Sequence, residues 1–414
     1  MKIQEVTSPG GLSAWLVEEH RVPLLALRFA FAGGCAQDPV DKPGVANFVS
    51  VMLDEGAGPY STEQFQEQQE ELALRMSFSA GRDAFYGNFE TLIANLEPSA
   101  ELLKYALTEP RFEDAAVERL RSQLLTNLAF ATKDPRRVAQ WAWSRQAYPN
   151  HPYGRPTEGT EESIASISAA DLKSYAGKIF ARSNLKIAVV GAIDASALGS
   201  LLDDIFGGLP EEPELLKTEA IALGNQGTTE IVRMQVPQSV VLAGLPGILR
   251  NDPDYVPAFV MNHILGGGTF SSKLMTEVRE KRGLAYSVSS HLSSHDRAGA
   301  IIAQFATKNE SAGEALDVTR QQMKLIADHG VTDEELRDAK SFLTGSYPLR
   351  FDTNGKIATQ LLGIQLENLG KDYPETRNEK VNAVTTNDIE RVAKQLLDTQ
   401  KMMVAIVGEP ENLT

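Results

Sequence analysis

Ile164-Ala165-Ser166-Ile167-Ser168-Ala169-Ala170-Asp171-Leu172 leads through a helix-like stretch to Leu185-Lys186-Ile187-Ala188-Val189-Val190-Gly191. Val381-Asn382-Ala383-Val384-Thr385-Thr386-Asn387-Asp388-Ile389 leads likewise to Met402-Met403-Val404-Ala405-Ile406-Val407-Gly408. Matching Gly191 with Gly408 gives an offset of 217 residues, and Leu53 to Gly56 pairs with Leu265 to Gly268 at an offset of 212. Similar offsets at separate points read as one domain duplicated, with a period far too long for a solenoid unit. Within a half, alternating runs such as Leu12-Ser13-Ala14-Trp15-Leu16-Val17 and Leu24-Leu25-Ala26-Leu27-Arg28-Phe29 read as strands. Ser61-Thr62-Glu63-Gln64-Phe65 opens a helix whose first turn the hydroxyls can cap. The expected fold class is therefore α+β: two homologous domains, each a sheet covered by helices. Between them, Pro210-Glu211-Glu212-Pro213-Glu214 starts a polar stretch reaching Asn225-Gln226-Gly227. Proline restricts φ and cannot donate to a strand ladder, so residues 211–228 read as a linker between domains 1–210 and 229–414.

Composition narrows the function classes. At 414 residues, with 42% hydrophobic and 23% charged residues, the chain has the balance of folded globular protein in two or three domains. No stretch approaches the roughly 18 uninterrupted apolar residues that span a bilayer. A net charge of −15 argues against nucleic acid, since phosphate binding needs clustered Lys and Arg. The single Cys35 excludes an internal disulfide and a cysteine-based zinc cluster, and it reads as a small buried hydrophobe.

Two further segments carry the chemistry. Gly44-Val45-Ala46-Asn47-Phe48-Val49-Ser50-Val51-Met52-Leu53-Asp54-Glu55-Gly56 lies early in the first half. In the second, Leu265-Gly266-Gly267-Gly268-Thr269-Phe270-Ser271-Ser272-Lys273-Leu274 leads into Glu277-Val278-Arg279-Glu280-Lys281-Arg282-Gly283-Leu284-Ala285-Tyr286-Ser287-Val288. Together they resemble the pitrilysin-type (inverted zincin, M16) metallopeptidases, and in size the chain is similar to a small bacterial M16B-like subunit. Active members of that family carry His-x-x-Glu-His on the first helix. Residues four apart share a helix face, so both imidazoles reach one Zn²⁺ and the Glu serves as general base. A further Glu about 75 residues on completes the ligands. By that resemblance the two His positions are Asn47 and Val51, the Glu is Ser50, and the distant Glu is Asn127. An amide, a hydroxyl, an isopropyl group and a second amide do not make a zinc site. The helix then reads as structural, with Val45, Phe48, Val49 and Met52 as core. The remaining histidines do not replace it: His291 and His295 are four apart but follow a strand-like run and read as solvated surface.

The second segment keeps what the first has lost. Read by themselves, Arg279 caps a helix C-terminus and Tyr286 is a strand residue with its hydroxyl at the surface. The resemblance implies more: the pair hydrogen-bonds substrate backbone and stabilises the oxyanion at a zinc site on a different domain, work that suits fixed donors in a sheltered site. Arg282 is a second basic candidate that orients the turn. Gly266-Gly267-Gly268 does not have the Gly-x-x-x-x-Gly-Lys spacing of a phosphate loop, and it reads as close backbone approach or positive φ between two helices.

Half of a site implies a non-catalytic subunit of a heteromeric zinc peptidase. This chain would supply Arg279 and Tyr286 and hold no cofactor. A homologous partner with an intact His-x-x-Glu-His would hold the zinc and bind peptide as an added strand on its sheet edge. The alternatives are a structural or assembly subunit, like the processing-peptidase relatives that serve as respiratory core subunits, and a chain that binds peptides without cleaving them. The sequence leaves the compartment open between periplasm and cytoplasm. The periplasm is favoured because bacterial relatives of this size often carry secretion signals and Met1 closely abuts the first strand.

Overall fold

The computed structural model describes residues 1–411 and Leu413, with Thr269 described by its backbone alone. Six strands form the first sheet: β1 (Gln4–Thr7), β2 (Ser13–Glu18), β3 (Leu24–Ala32), β4 (Arg75–Ala80), β5 (Ala84–Leu92) and β6 (Leu185–Gly191), in the order β1-β2-β6-β3-β5-β4. Five form the second: β7 (Thr229–Arg233), β8 (Gln238–Pro246), β9 (Ala285–Ser294), β10 (Gly299–Lys308) and β11 (Met403–Gly408), in the order β7-β11-β8-β10-β9. With β1 set aside, the two orders are the same. β6 and β11 each run parallel to the first strand of their set, β2 or β7, and antiparallel to the second, β3 or β8. The duplicated sequence is thus a duplicated α+β fold, and the Val-Val-Gly and Ile-Val-Gly runs occupy equivalent strands.

Both runs are nearly unbroken in apolar residues because both faces of these inner strands are covered. On β3, the odd positions Leu25, Leu27, Phe29 and Phe31 join Phe48, Leu103 and Phe206 in one core. In the second sheet Val241 and Leu245 of β8 and Val404 and Ile406 of β11 pack with Leu316, Met323, Ile389 and Val392. Equivalent capping boxes start equivalent helices. Ser168 and Asp171 cap Ala169–Ile179, and Thr385 and Asp388 cap Thr386–Leu396, which is the physical content of the repeated Ser/Thr-x-x-Asp.

The opposite sheet faces are covered by helices exchanged between the two halves of the sequence. The even positions of β3 and β6 meet the helix Asn354–Leu366, which comes from the other half of the chain: Ala358, Leu361 and Leu362 lie on Ala30, Ala84, Ala188 and Val190. Gln365 donates from Nε2 to the Ile187 carbonyl at 2.9 Å. In return, the helix Pro135–Ala147 lies against the second sheet and places Trp143 on Gly244 of β8. A Cβ at Gly244 would sit 2.4 Å from the Trp143 ring, so only glycine admits the indole there.

The compact units therefore differ from the continuous domains 1–210 and 229–414. One comprises Met1–Leu128, Pro156–Lys217 and Pro348–Lys371; the other comprises Ala129–Arg155, Thr218–Tyr347 and Asp372–Thr414. The reason is the exchanged helix pair, which each half contributes to the sheet of the other. The stretch 211–228 contains no helix or strand, yet it is bonded along its length. Glu214 donates its N–H to Lys178 O (2.8 Å) in the first unit, and Ile221 to Arg297 O (3.0 Å) in the second. Among the described residues no helix is long and apolar enough to cross a membrane.

Candidate functional site

The helix Val45–Met52 in the first unit carries the positions that the resemblance assigns to a zinc motif. Its start is set by a residue outside the motif: the buried Asp38 carboxylate accepts from Gly44 N (2.7 Å) and Ala46 N (2.8 Å). That satisfies N–H groups a helix terminus otherwise leaves bare, and Gly44 supplies the left-handed turn at φ 97°. Val45, Phe48, Val49 and Met52 are buried in the core, as their apolar spacing implies. On the motif face, Asn47 is half-buried, Val51 packs against the core edge, and Ser50 donates its hydroxyl to Asn47 O at 2.7 Å. Asn127 is exposed on the helix Asp114–Ala131.

Two carboxylates follow the motif. Glu55 is buried and paired with Arg119, from the same helix as Asn127. Burial pushes the neighbouring Asp54 carboxyl up to about 6, and the charge of Glu55 adds to that shift. Zinc requires imidazole, thiolate or carboxylate converging on one point, and positions 47, 50, 51 and 127 offer none of these. The residues present do not fit the metal. Among the described residues no group of three or more His, Cys, Asp or Glu could hold a metal ion.

In the second unit, the helix Tyr255–Asn262 runs into a wide π-helical turn, His263–Gly267. Gly266 then passes against β9: a Cβ there would meet Ser290 N at 2.6 Å and Ser290 Oγ at 2.5 Å. Of the two roles open to these glycines it is close approach, since residues 266–268 are not among those with positive φ. Asn262 fixes the same contact, donating from Nδ2 to Ser290 O (3.1 Å) and accepting from Ser290 Oγ (2.8 Å) in a buried pair.

A second π-helical turn, Met275–Glu280, carries Arg279. Gly283, at φ 63°, closes it: Gly283 N donates to Arg279 O (2.9 Å) and Leu284 N to Val278 O (2.9 Å). This reversal returns the chain as β9, an edge strand, and brings Tyr286 back beside Arg279. The Arg279 guanidinium carbon lies 5.3 Å from the Tyr286 ring centre and 4.9 Å from that of Phe270. Tyr286 is 85% exposed and Phe270 63%.

The local charges divide unequally. Glu277 accepts from Lys281 Nζ (2.6 Å) and from Arg282 Nη1 (2.6 Å), which hold its carboxyl below the usual range. Arg282 also donates to Glu277 O at 2.9 Å, so it braces the turn, as its position in the sequence suggests. The Arg279 side chain, by contrast, has no hydrogen bond or carboxylate partner among the described residues. Its donors stand uncommitted beside an exposed phenol. The pair read from the sequence is brought together; Phe270 was not read as part of it, and the signal for it is one aromatic two residues after the glycine run.

His291 lies on β9 and His295 just beyond it. His295 departs from the solvated surface expected: it is half-buried, with its ring 4.9 Å from that of Tyr153 and 6.3 Å from that of Tyr148. Cys35 is buried, as a small hydrophobe would be.

Residues 17–161 match the sequence profile of the family described as insulinase (peptidase family M16), and residues 166–343 match that described as peptidase M16 inactive domain. The chain is 25% identical over 94% of its length to a Helicobacter pylori protein named non-peptidase homolog YmxG, of which the match covers 90%. It is 24% identical over 98% of its length to an uncharacterized zinc protease of Streptomyces coelicolor, with 89% of that protein covered. A crystal structure of a peptidase M16 inactive domain from Pseudomonas fluorescens superposes with a TM-score of 0.93 at 29% identity, covering 99% of this chain and 98% of that one.

Proposed function

The chain belongs to the M16 peptidase family, and on that premise we propose that it is a non-catalytic member serving as one subunit of a heteromeric zinc endopeptidase. Arg279 and Tyr286 are its contribution to the active site of a homologous partner. The partner, with an intact His-x-x-Glu-His, supplies the metal and the general base. The observation that carries this reading is the uncommitted guanidinium of Arg279 held against exposed Tyr286. An arginine kept only for stability would be expected to engage a carboxylate, and Glu277 two residues away is already engaged by two other cations.

Chemically, both groups are donors without a fixed acceptor among the described residues. The Tyr286 hydroxyl and the Arg279 fork suit a peptide carbonyl whose oxygen gains charge as the tetrahedral intermediate forms. The contribution is largest in a complex that excludes water from the pair, because the same dipoles act more strongly at low dielectric.

Reconstitution tests the proposal. The chain alone is expected to bind no stoichiometric zinc and to cleave no peptide; mixed with the intact-motif homologue it raises peptidase activity well above that of the homologue alone. Tyr286→Phe removes one hydroxyl and little volume, so assembly survives while turnover falls about 10²-fold, the scale of one oxyanion donor. Arg279→Ala also lowers turnover, with weaker substrate binding. Complexes are compared at equal occupancy by size-exclusion chromatography. Full turnover in an assembled Tyr286→Phe complex would leave the structural-subunit reading in its place.

A further inference from the structure

We infer that Phe270 is a third member of this constellation, a positioning residue that clamps the Arg279 guanidinium against Tyr286 and so sets the direction of its donors. The inference rests on the proposed function for its catalytic consequence, although the clamp itself is a property of this chain alone.

Three observations carry it. First, Arg279 is a long side chain with no hydrogen-bond or carboxylate partner among the described residues, so nothing polar fixes its rotamer. Left to itself, such a side chain has rotamer entropy to lose on binding a substrate. Second, two aromatic rings approach the guanidinium carbon, Phe270 at 4.9 Å and Tyr286 at 5.3 Å, both inside the roughly 6 Å reach of a cation–π contact. A planar guanidinium that meets ring faces keeps the N–H groups at its rim free, so the contact orients the group without consuming its donors. Third, Phe270 is 63% exposed although it is a large apolar side chain. Burial therefore does not explain its place at the surface, whereas a partner for Arg279 does.

The backbone supports the clamp from both sides. Phe270 sits in the short 3₁₀ turn Thr269–Ser271, where the Ser271 hydroxyl donates to Gly268 O at 3.0 Å. Two residues on, Lys273 is paired with Glu335 of the helix Asp333–Gly345, which ties the following segment down. On the other side, Lys281 and Arg282 hold Glu277 and keep that carboxylate from drawing Arg279 out of the stack. The turn that bears the ring is thus anchored through Ser271 and Lys273. Without the ring the guanidinium swings free and meets the substrate in many orientations, which lowers kcat more than it raises KM.

Two measurements test this. In the isolated chain labelled with ¹⁵N-arginine, the Arg279 side-chain resonance, assigned through Arg279→Lys, should show an aromatic ring-current shift that Phe270→Leu reduces and Phe270→Tyr retains. A resonance unaffected by Phe270→Leu overturns the clamp whatever the partner does. In the reconstituted complex, assayed with a quenched fluorogenic peptide library, Phe270→Leu should lower kcat about two- to fivefold with KM little changed, the worth of one exposed cation–π contact. Phe270→Tyr should restore it. In an Arg279→Ala background, Phe270→Leu should have no further effect; an equal loss there shows that Phe270 acts independently of Arg279 and sinks the inference. If Arg279→Ala itself leaves turnover intact, the proposed function fails, and the spectroscopic arm alone decides the clamp.

Discussion

Asp54 is a half-buried titratable group just past the helix Val45–Met52. Its carboxyl, pushed up to about 6 by burial with the Glu55 charge adding, stands three residues past Val51. A carboxyl with a raised folded-state value binds its proton more tightly in the native than in the unfolded chain. Stability is therefore present below the ordinary value of 3.8 and falls as pH rises through about 6. Asp54→Asn removes that charge at similar volume. It should raise the melting temperature at pH 8 and leave it nearly unchanged near pH 4. A gain of the same size at both pH values, measured by calorimetry, would mean that the carboxyl is not the source of the pH dependence. Arg279 and Tyr286 are each an ordinary residue type, and what sets Arg279 apart is a side chain with no polar partner among the described residues, beside an exposed ring.

The turns that present these residues depend on glycine for two different reasons. Gly283 is needed for its positive φ, with nothing within 4 Å of a Cβ placed there, whereas Gly266 is needed because β9 runs too close. Gly266→Ala drives a methyl into the backbone of Ser290 and should cost about 1–3 kcal/mol, the range for overpacking a tight contact. The β9 segment that bears Tyr286 would shift with it. Gly363 is the contrast: it lies inside the exchanged helix Asn354–Leu366 with open space around it, so Gly363→Ala should stabilise by about 0.5–1 kcal/mol. Denaturant titration of the two variants separates the cases by sign, and destabilisation of both would contradict the packing described for that helix.

The exchanged helices make the halves dependent on one another. A fragment ending at residue 210 keeps its sheet but loses the helix that covers Ala30, Ala84, Ala188 and Val190. A fragment starting at 211 loses Trp143 from Gly244. Each would expose an apolar sheet face to water, at a cost on the order of 25 cal/mol for each Å² left uncovered. Expressed singly, the fragments 1–210 and 211–414 should be poorly soluble or should bind a hydrophobic dye. Co-expressed, they should return as a one-to-one complex with the far-ultraviolet dichroism of the intact chain. Two fragments that each fold separately, with sharp independent melting transitions, would show that the exchange is dispensable.

Much of this was legible in the residues themselves. The repeated Ser/Thr-x-x-Asp caps and the inner-strand runs ending at Gly191 and Gly408 are local signals, and local chemistry suffices to place them: a hydroxyl that caps a helix and a strand covered on both faces leave the same mark wherever they occur. That Asn47, Val51 and Asn127 cannot serve as the ligands the resemblance implies there, nor Ser50 as the general base, is likewise a matter of residue type, because no packing gives a valine side chain a lone pair. The pairing of Arg279 with Tyr286 could be read only through resemblance, since their spacing alone fits an ordinary helix cap and strand. The tertiary structure alone decided which half covers which sheet, that Asp38 starts the first helix, and that Phe270 meets Arg279. Each of these joins residues whose own sequence patterns are complete without the other. An amphipathic helix states that it has an apolar face and an aromatic states that it has a ring, but neither names its partner; that choice is made by the chain path and by the small side chains that let one surface approach another.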